Sequence, residues 1–125
     1  MIVKRLGYVE GGEKARCFRN ADLFIAPSRW ESFGLTVVEA MAWGLPVVAA
    51  GSDGVRGVLP DDWEWMAEPG DVDGLAGRLS MACGALHAGQ GVRIGDRLRQ
   101  EFLDKFLVER FREKVRAALR DACGD

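Results

Sequence analysis

Two carboxylates, Glu31 and Glu39, bracket a glycine and an apolar run in the segment ESFGLTVVE. If a helix begins at Gly34, the backbone N–H groups of Phe33, Gly34 and Leu35 lie unpaired at its positive end and can bind a phosphate. Glycine also lets a ligand approach the backbone without a Cβ in the way. The carboxylate of Glu39 can accept hydrogen bonds from vicinal hydroxyls such as those of a ribose. This spacing therefore favours a clamp for a nucleoside diphosphate, with Glu31 facing a sugar beyond the phosphates.

The elements that would position this segment are a strand before it and a strand after it. Leu23 to Ala26 predicts a compact buried strand, and the all-apolar run from Pro46 to Ala50 predicts a parallel strand covered on both faces. Between them the pattern turns helical at Leu35, and Gly44 followed by Pro46 predicts the end of that helix. Such a unit implies a right-handed βαβ crossover. Its loop and helix N-terminus lie at the carboxyl edge of the sheet, where open α/β folds bind ligands.

Further elements are predicted on both sides of this unit. Ile2 to Leu6 predicts a first strand and Glu13 to Arg19 a short helix. Trp63 to Ala67 predicts a fourth short strand with weak alternation, and Asp71 predicts the N-cap of a long amphipathic helix. After an internal break at Ala88 to Val92, the remaining apolar spacing predicts one or two amphipathic helices.

A glycine-rich loop, GSDGVRG, follows the strand that ends at Ala50. It leaves the same edge of the sheet as the Glu31 segment. The glycines at Gly51, Gly54 and Gly57 fit a ligand-binding loop and ordinary turn chemistry equally well.

Composition narrows the class of protein. The 125 residues, with 17 basic and 19 acidic side chains and a net charge of −2, allow one domain and give no argument for binding nucleic acid. Three cysteines without paired spacing and a single histidine make a metal site unexpected. No stretch is long enough to span a bilayer. We expect a cytoplasmic protein, with peripheral membrane association as an alternative.

The run ADLFIAPSRWESFGLTVVEAMAWGLPVVAAGSDG resembles the C-terminal, nucleotide-sugar-binding lobe of retaining GT-B glycosyltransferases of group 1. The positions that match the family pattern are Ala21, Asp22, Pro27, Ser28, Glu31, Phe33, Gly34, Glu39, Ala40, Met41, Ala42, Gly44, Pro46 and Val47. The resemblance extends more loosely over most of the first eighty residues. It implies an α/β fold with a Rossmann-like parallel sheet, flanking helices and a helical C-terminus. Residues 1–90 would form part of the donor-binding lobe, and residues 91–125 would be C-terminal helices packing on it.

The resemblance also implies roles for single residues. Glu31 would be the catalytic residue near the reacting carbon of the donor sugar, and Glu39 would bind the ribose hydroxyls. Backbone groups of Ser32, Phe33, Gly34 and Leu35 would hold the sugar and the diphosphate. A hexose would be transferred with retention from a UDP- or GDP-type donor to an unknown acceptor. The family is usually metal-independent, so the resemblance implies no metal and no cofactor besides the donor substrate.

Three departures from the family leave alternatives open. Relatives carry an Arg and a Lys earlier in this lobe, and a whole N-terminal lobe that binds the acceptor, and none of these has a counterpart here. Gly57 stands where relatives often have a Glu. The chain could therefore be a non-catalytic nucleotide-binding or interaction module, or an inactive fragment that needs a partner chain carrying the acceptor-binding lobe. An exposed strand edge would favour a homo-oligomer. The apolar stripe from Val108 to Leu119 would be core or a surface that docks on the other lobe.

Overall fold

A computed structural model describes residues 2–124, apart from the side chain of Cys123. The described elements are α1 (Gly11–Asn20), β1 (Phe24–Ala26), α2 (Leu35–Ala42), β2 (Val47–Ala50), α3 (Asp53–Arg56), β3 (Met66–Ala67), α4 (Val72–His87), α5 (Gly91–Phe106) and α6 (Val108–Cys123). The three strands form one parallel sheet in the order β1-β2-β3. This is the α/β architecture that the sequence predicted, with a helical C-terminus.

The central strand β2 is buried along its whole length. Its side chains alternate between two apolar clusters, as the twofold periodicity of a strand requires. Val47 and Ala49 pack into the cluster that contains the buried side of α2, whereas Val48 packs with Ala82 of α4 and Trp65. The sheet therefore lies between α2 and α4, and the all-apolar sequence of β2 follows from this double coverage.

Helix α2 owes its position to its buried face and its end to a glycine. The buried side chains are Val37, Val38, Ala40 and Met41. After the last turn, the Gly44 N–H donates to the Met41 carbonyl at 2.9 Å and the Leu45 N–H donates to the Ala40 carbonyl at 3.0 Å. Gly44 has φ +69°. A helix C-terminus closed by these two hydrogen bonds needs a residue in the left-handed conformation at this position. Pro46 then leads directly into β2.

Helix α5 packs across α2 at a very close backbone contact. A Cβ on Gly95 would lie 1.9 Å from the Gly44 carbonyl oxygen, so only glycine fits there without a shift of the backbone. One turn further along, Leu98 is completely buried in the α2 cluster.

The N-cap predicted at Asp71 is confirmed, because its side chain accepts a hydrogen bond from the Gly74 N–H at 2.8 Å.

One prediction from the sequence is wrong, and one of the two alternatives for the stripe from Val108 to Leu119, core or a surface that docks on another lobe, is excluded. The predicted strand from Ile2 to Leu6 does not form: residues 2–10 contain no helix or strand, and Ile2 is 96% exposed. A strand needs a partner for its backbone groups, and within residues 2–124 the outer edge of β1 pairs with no other strand. The stripe from Val108 to Leu119 is not core, because every side chain that the structure describes in α6 is exposed.

Glycine substitutions test the packing of α5 on α2. Gly95→Ala should destabilise the fold by about 1–3 kcal/mol, because the new methyl group must displace backbone. Gly84→Ala, inside α4 with nothing within 4 Å of the added Cβ, should instead stabilise by about 0.5–1 kcal/mol through helix propensity. Urea unfolding of both variants measures the difference. Equal stabilities would show that α5 does not pack as described.

Candidate functional site

The carboxyl ends of all three strands open into one cleft of about 590 Å³. The segment after β1 contributes Arg29, Trp30 and Glu31, the segment after β2 contributes Gly51, Ser52, Asp53 and Arg56, and the segment after β3 contributes Glu68, Pro69 and Gly70. Ligands bind at this edge in open α/β sheets. The position that the sequence predicted for a site is therefore a real concavity next to Glu31.

A larger hollow of about 700 Å³ lies at the opposite edge of the sheet, where Asp22 precedes β1 and Gly44 and Pro46 precede β2. The C-terminal end of α2 faces this side, and a helix C-terminus carries partial negative charge. This hollow also contains neither of the two glutamates of the motif. It is therefore a poorer candidate for binding a phosphate-bearing ligand than the cleft beside Glu31.

The turn between Glu31 and α2 leaves the N-terminus of the helix open. Gly34 is the N-cap residue, with φ +79°, and no side chain caps the helix. The first bond into the helix runs from the Val38 N–H to the Gly34 carbonyl at 3.0 Å. The N–H groups of Leu35, Thr36 and Val37 precede that bond and so have no partner within the helix. Because glycine tolerates this left-handed conformation, the chain can enter the helix without a capping side chain over the donors.

Gly54 holds this turn in place from the neighbouring loop. Its N–H donates to the Glu31 carbonyl at 3.1 Å, and a Cβ added to it would lie 2.3 Å from that oxygen and 2.5 Å from the Phe33 nitrogen. From the sequence, the glycines of this loop fitted a ligand-binding loop and ordinary turn chemistry equally well. At Gly54 the structure shows that glycine is needed for close packing. Helix α3 is thereby fixed against the backbone from Glu31 to Phe33.

The two glutamates of the motif have different surroundings. Glu31 is half-buried on the cleft, and among the described side chains it takes part in no ion pair. Glu39 is also half-buried, but its Oε1 lies 2.5 Å from Nζ of Lys14 on α1, and it does not line the cleft. A carboxylate has about four acceptor sites, so Glu39 keeps capacity for further donors. Ser32, Phe33 and Leu35 are exposed, and Gly34 is buried.

Sequence reasoning missed five polar residues of the cleft, Arg29, Ser52, Asp53, Arg56 and Glu68. Arg56 donates through Nε to the Gly51 carbonyl at 2.6 Å and through Nη2 to Glu68 at 2.7 Å. The guanidinium of Arg29 lies beside Gly70. Ser52 is 7% exposed, and its Oγ has no hydrogen-bond partner within the part of the chain that the structure describes. Arg29 follows β1, Ser52 and Arg56 follow β2 and Glu68 follows β3, so no sequence spacing could reveal that they line one cleft.

The described residues limit further what the site can be. Their side chains contain no group of three or more His, Cys, Asp or Glu placed to hold a metal ion. No helix within residues 2–124 has the length and apolarity needed to cross a membrane.

Comparison with known proteins decides the family. The sequence model of the family described as glycosyl transferases group 1 matches residues 2–84, which include the cleft and the whole of α2. The chain belongs to the glycosyl transferases group 1 family. The resemblance seen in the Glu31 to Glu39 segment is thus confirmed over most of the chain.

Several curated relatives are similar to it. A D-inositol 3-phosphate glycosyltransferase of Actinosynnema mirum is 35% identical over 138 residues, covering 93% of this chain and 31% of the relative. A phosphatidyl-myo-inositol mannosyltransferase of Mycolicibacterium smegmatis is 39% identical over 99 residues, covering 76% and 26% respectively. A sulfoquinovosyl transferase of Arabidopsis thaliana is 39% identical over 77 residues, covering 58% and 15%. The chain therefore spans less than a third of the length of each of these relatives.

The close packing at Gly54 can be tested by comparing alanine substitutions at Gly54 and at Gly57, which lies in the same loop. Gly54→Ala should cost about 1–3 kcal/mol of unfolding free energy and displace the turn at Glu31. Gly57→Ala is the matched control: its φ is −70° and an added Cβ has its nearest neighbour at 3.5 Å, so a change within about 0.5 kcal/mol is expected. Urea unfolding and amide hydrogen exchange at Phe33 measure both effects. If the two variants behave alike, Gly54 does not fix the turn.

Proposed function

We propose that this chain forms the donor-binding part of a retaining hexosyltransferase that uses a nucleotide-diphosphate sugar of the UDP or GDP type. One observation carries the proposal: α2 begins, without a side-chain cap among the described residues, at Gly34, three residues after Glu31, which lines the cleft at the carboxyl edge of the sheet. A helix N-terminus offers both free N–H donors and partial positive charge to a diphosphate. Family membership adds glycosyl transfer as the chemistry that such a site serves.

The donor would lie along the N-terminus of α2. Its diphosphate would accept hydrogen bonds from the backbone of Ser32 to Leu35, with Gly34 allowing the closest approach. The ribose hydroxyls would donate to Glu39, one turn into the helix. The hexose would lie beside Glu31, whose half-buried carboxylate lines the cleft. No metal is part of this proposal.

In the transfer, the bond between the anomeric carbon of the hexose and the phosphate oxygen breaks, and the nucleoside diphosphate leaves with the electron pair. A new bond forms from the same face of the sugar to an acceptor hydroxyl, which passes its proton to the oxygen of the leaving diphosphate. The developing charge on the leaving diphosphate needs preorganised positive potential. Here the N-terminus of α2 would supply it. Of the two cations that line the cleft, Arg56 is paired with Glu68 and Arg29 lies beside Gly70.

The acceptor would be an alcohol brought by another lobe or subunit. The names of two relatives specify an inositol phosphate and phosphatidyl-myo-inositol as what they act on. An inositol-type polyol is accordingly the first acceptor to try with this chain. Because the cleft is open, an acceptor-binding partner could cover it and complete the site. A non-catalytic nucleotide-binding module would bind the donor equally well and transfer nothing.

The ribose role of Glu39 has a direct test. Glu39→Ala should weaken the binding of UDP or GDP about 10- to 150-fold, the equivalent of about 1.5–3 kcal/mol for hydrogen bonds to a charged group. Glu64→Ala removes an exposed acid away from the cleft of Glu31 and should leave the affinity unchanged. Isothermal titration calorimetry of the three proteins gives the affinities. An unchanged affinity of the Glu39 variant for the nucleotide would show that Glu39 does not bind the ribose.

The position of Glu31 predicts a different pattern. Glu31→Gln should keep the affinity for the free nucleotide and weaken only that for the nucleotide sugar, because the side chain would contact the hexose. Two-dimensional amide NMR with UDP, GDP and their glucose conjugates also reports which residues respond, with Gly34 and Leu35 expected to shift for every ligand. Equal losses for nucleotide and nucleotide sugar would place Glu31 away from the hexose.

A further inference from the structure

Helix α1 lies against α2 through two contacts that follow each other along both helices. Nζ of Lys14 lies 2.5 Å from Oε1 of Glu39. Four residues further along the chain in each case, the ring of Phe18 stacks on that of Trp43, with centroids 6.3 Å apart and 6° between the planes. Side chains four residues apart lie on the same side of a helix, so one side of α1 supplies both contacts. The ion pair is therefore part of the docking of α1 on α2.

The aromatic contact holds α1 in place without help from the ion pair. Phe18 also packs against Phe24 of β1, with ring centroids 5.9 Å apart, and joins the apolar cluster that contains the buried side of α2. Lys14 lies one turn before Phe18 in the same helix. Apolar packing thus keeps the backbone of Lys14 beside Glu39, whichever ligand is bound.

We propose that Lys14 is a positioning residue for the nucleotide, which holds the Glu39 carboxylate in the orientation that the ribose hydroxyls need. Fixing a flexible side chain at the moment of binding costs affinity. The contact with Nζ of Lys14 fixes the carboxylate of Glu39 before the nucleotide arrives. This inference rests on the proposed function, because Lys14 acts only through the ribose contact of Glu39.

The number of acceptor sites on Glu39 decides between positioning and competition. One ammonium N–H and two vicinal hydroxyls together need about three of the roughly four acceptor sites of a carboxylate. The ribose can therefore bind without releasing Lys14. If the ribose had to displace Lys14, the same ion pair would weaken binding instead, and the two roles predict opposite effects of removing the lysine.

A pair of ligands separates this role from ordinary charge attraction. UDP or GDP, whichever binds more tightly, is compared with its 2′,3′-dideoxy form, which has the same base and diphosphate but lacks both ribose hydroxyls. Loss of a cation weakens the attraction for both diphosphates alike, whereas a misplaced Glu39 weakens the binding of the hydroxyl-bearing ligand alone. Isothermal titration calorimetry of the whole chain gives the ratio of the two affinities, which is the quantity to compare among variants.

Lys14→Met should lower this ratio about two- to ten-fold, the factor expected for ordering one flexible side chain on binding. Lys14→Arg keeps a cation and N–H donors and should lower the ratio less. Glu39→Ala should remove most of the difference between the two ligands, and Lys14→Met added to it should lower the ratio no further.

Arg97→Met is the matched control for the loss of a paired cation. Arg97 is paired with Asp62 in the segment that precedes β3, so this ion pair lies at the opposite edge of the sheet from the cleft. The ratio of the two affinities should not change in this variant. Circular dichroism verifies that each variant keeps its helices.

An unchanged ratio in Lys14→Met would overturn the positioning role, and a higher ratio would show that Lys14 competes with the ribose. An equal loss in Lys14→Arg or in Arg97→Met would also overturn it. A parent chain that binds the two ligands alike, or neither, would overturn the ribose contact of the proposed function and this inference with it. That outcome differs from a ratio that is high in the parent chain and unchanged in Lys14→Met, which refutes the role of Lys14 alone.

Discussion

The complete burial of β2 is the constraint on which the rest of this structure depends. Both of its edges are paired, with the Phe24 N–H donating to the Pro46 carbonyl at 2.9 Å on one side and the Gly51 N–H donating to the Ala67 carbonyl at 2.8 Å on the other. Both of its faces are covered, by the clusters around α2 and α4. A strand held in this way cannot slip in register without exposing apolar side chains or breaking backbone bonds. The loops that leave its carboxyl end therefore start from a fixed point.

The backbone of the candidate site is fixed to this strand through α3. The chain turns from Gly51 into α3, and Gly54 then holds the Glu31 carbonyl by a hydrogen bond and by contact too close for any side chain. The turn that leads into α2 is therefore held by backbone contacts that do not depend on a ligand. Preorganisation of this kind lowers the entropic cost of binding and leaves more of the interaction energy for affinity. As a consequence, only glycine fits at position 54 without a shift of the backbone.

How far the sequence predicted the molecule depends on the range of the interactions involved. The end of α2 at Gly44, the run of β2 and the cap at Asp71 are set by local chemistry, and each was predicted from a few adjacent residues. The strand expected from Ile2 to Leu6 failed because strand formation depends on a partner that is distant in sequence. The cleft cations Arg29 and Arg56, and the pairing of Lys14 with Glu39, depend on the assembled sheet. The family resemblance found the glutamates but could not supply these neighbours.

The Lys14–Glu39 pair bears on how a donor could enter. Its two side chains are 37% and 31% exposed, and ion pairs at this degree of exposure contribute only about 0–1 kcal/mol. Such a pair orients the carboxylate of Glu39, yet little stability is lost when a ribose hydroxyl replaces part of the contact. Glu31 needs no comparable partner, because it faces the open cleft and water can solvate it. The carboxylate assigned to the ribose is thus held by a weak internal contact, and the one assigned to the hexose is left free for the ligand.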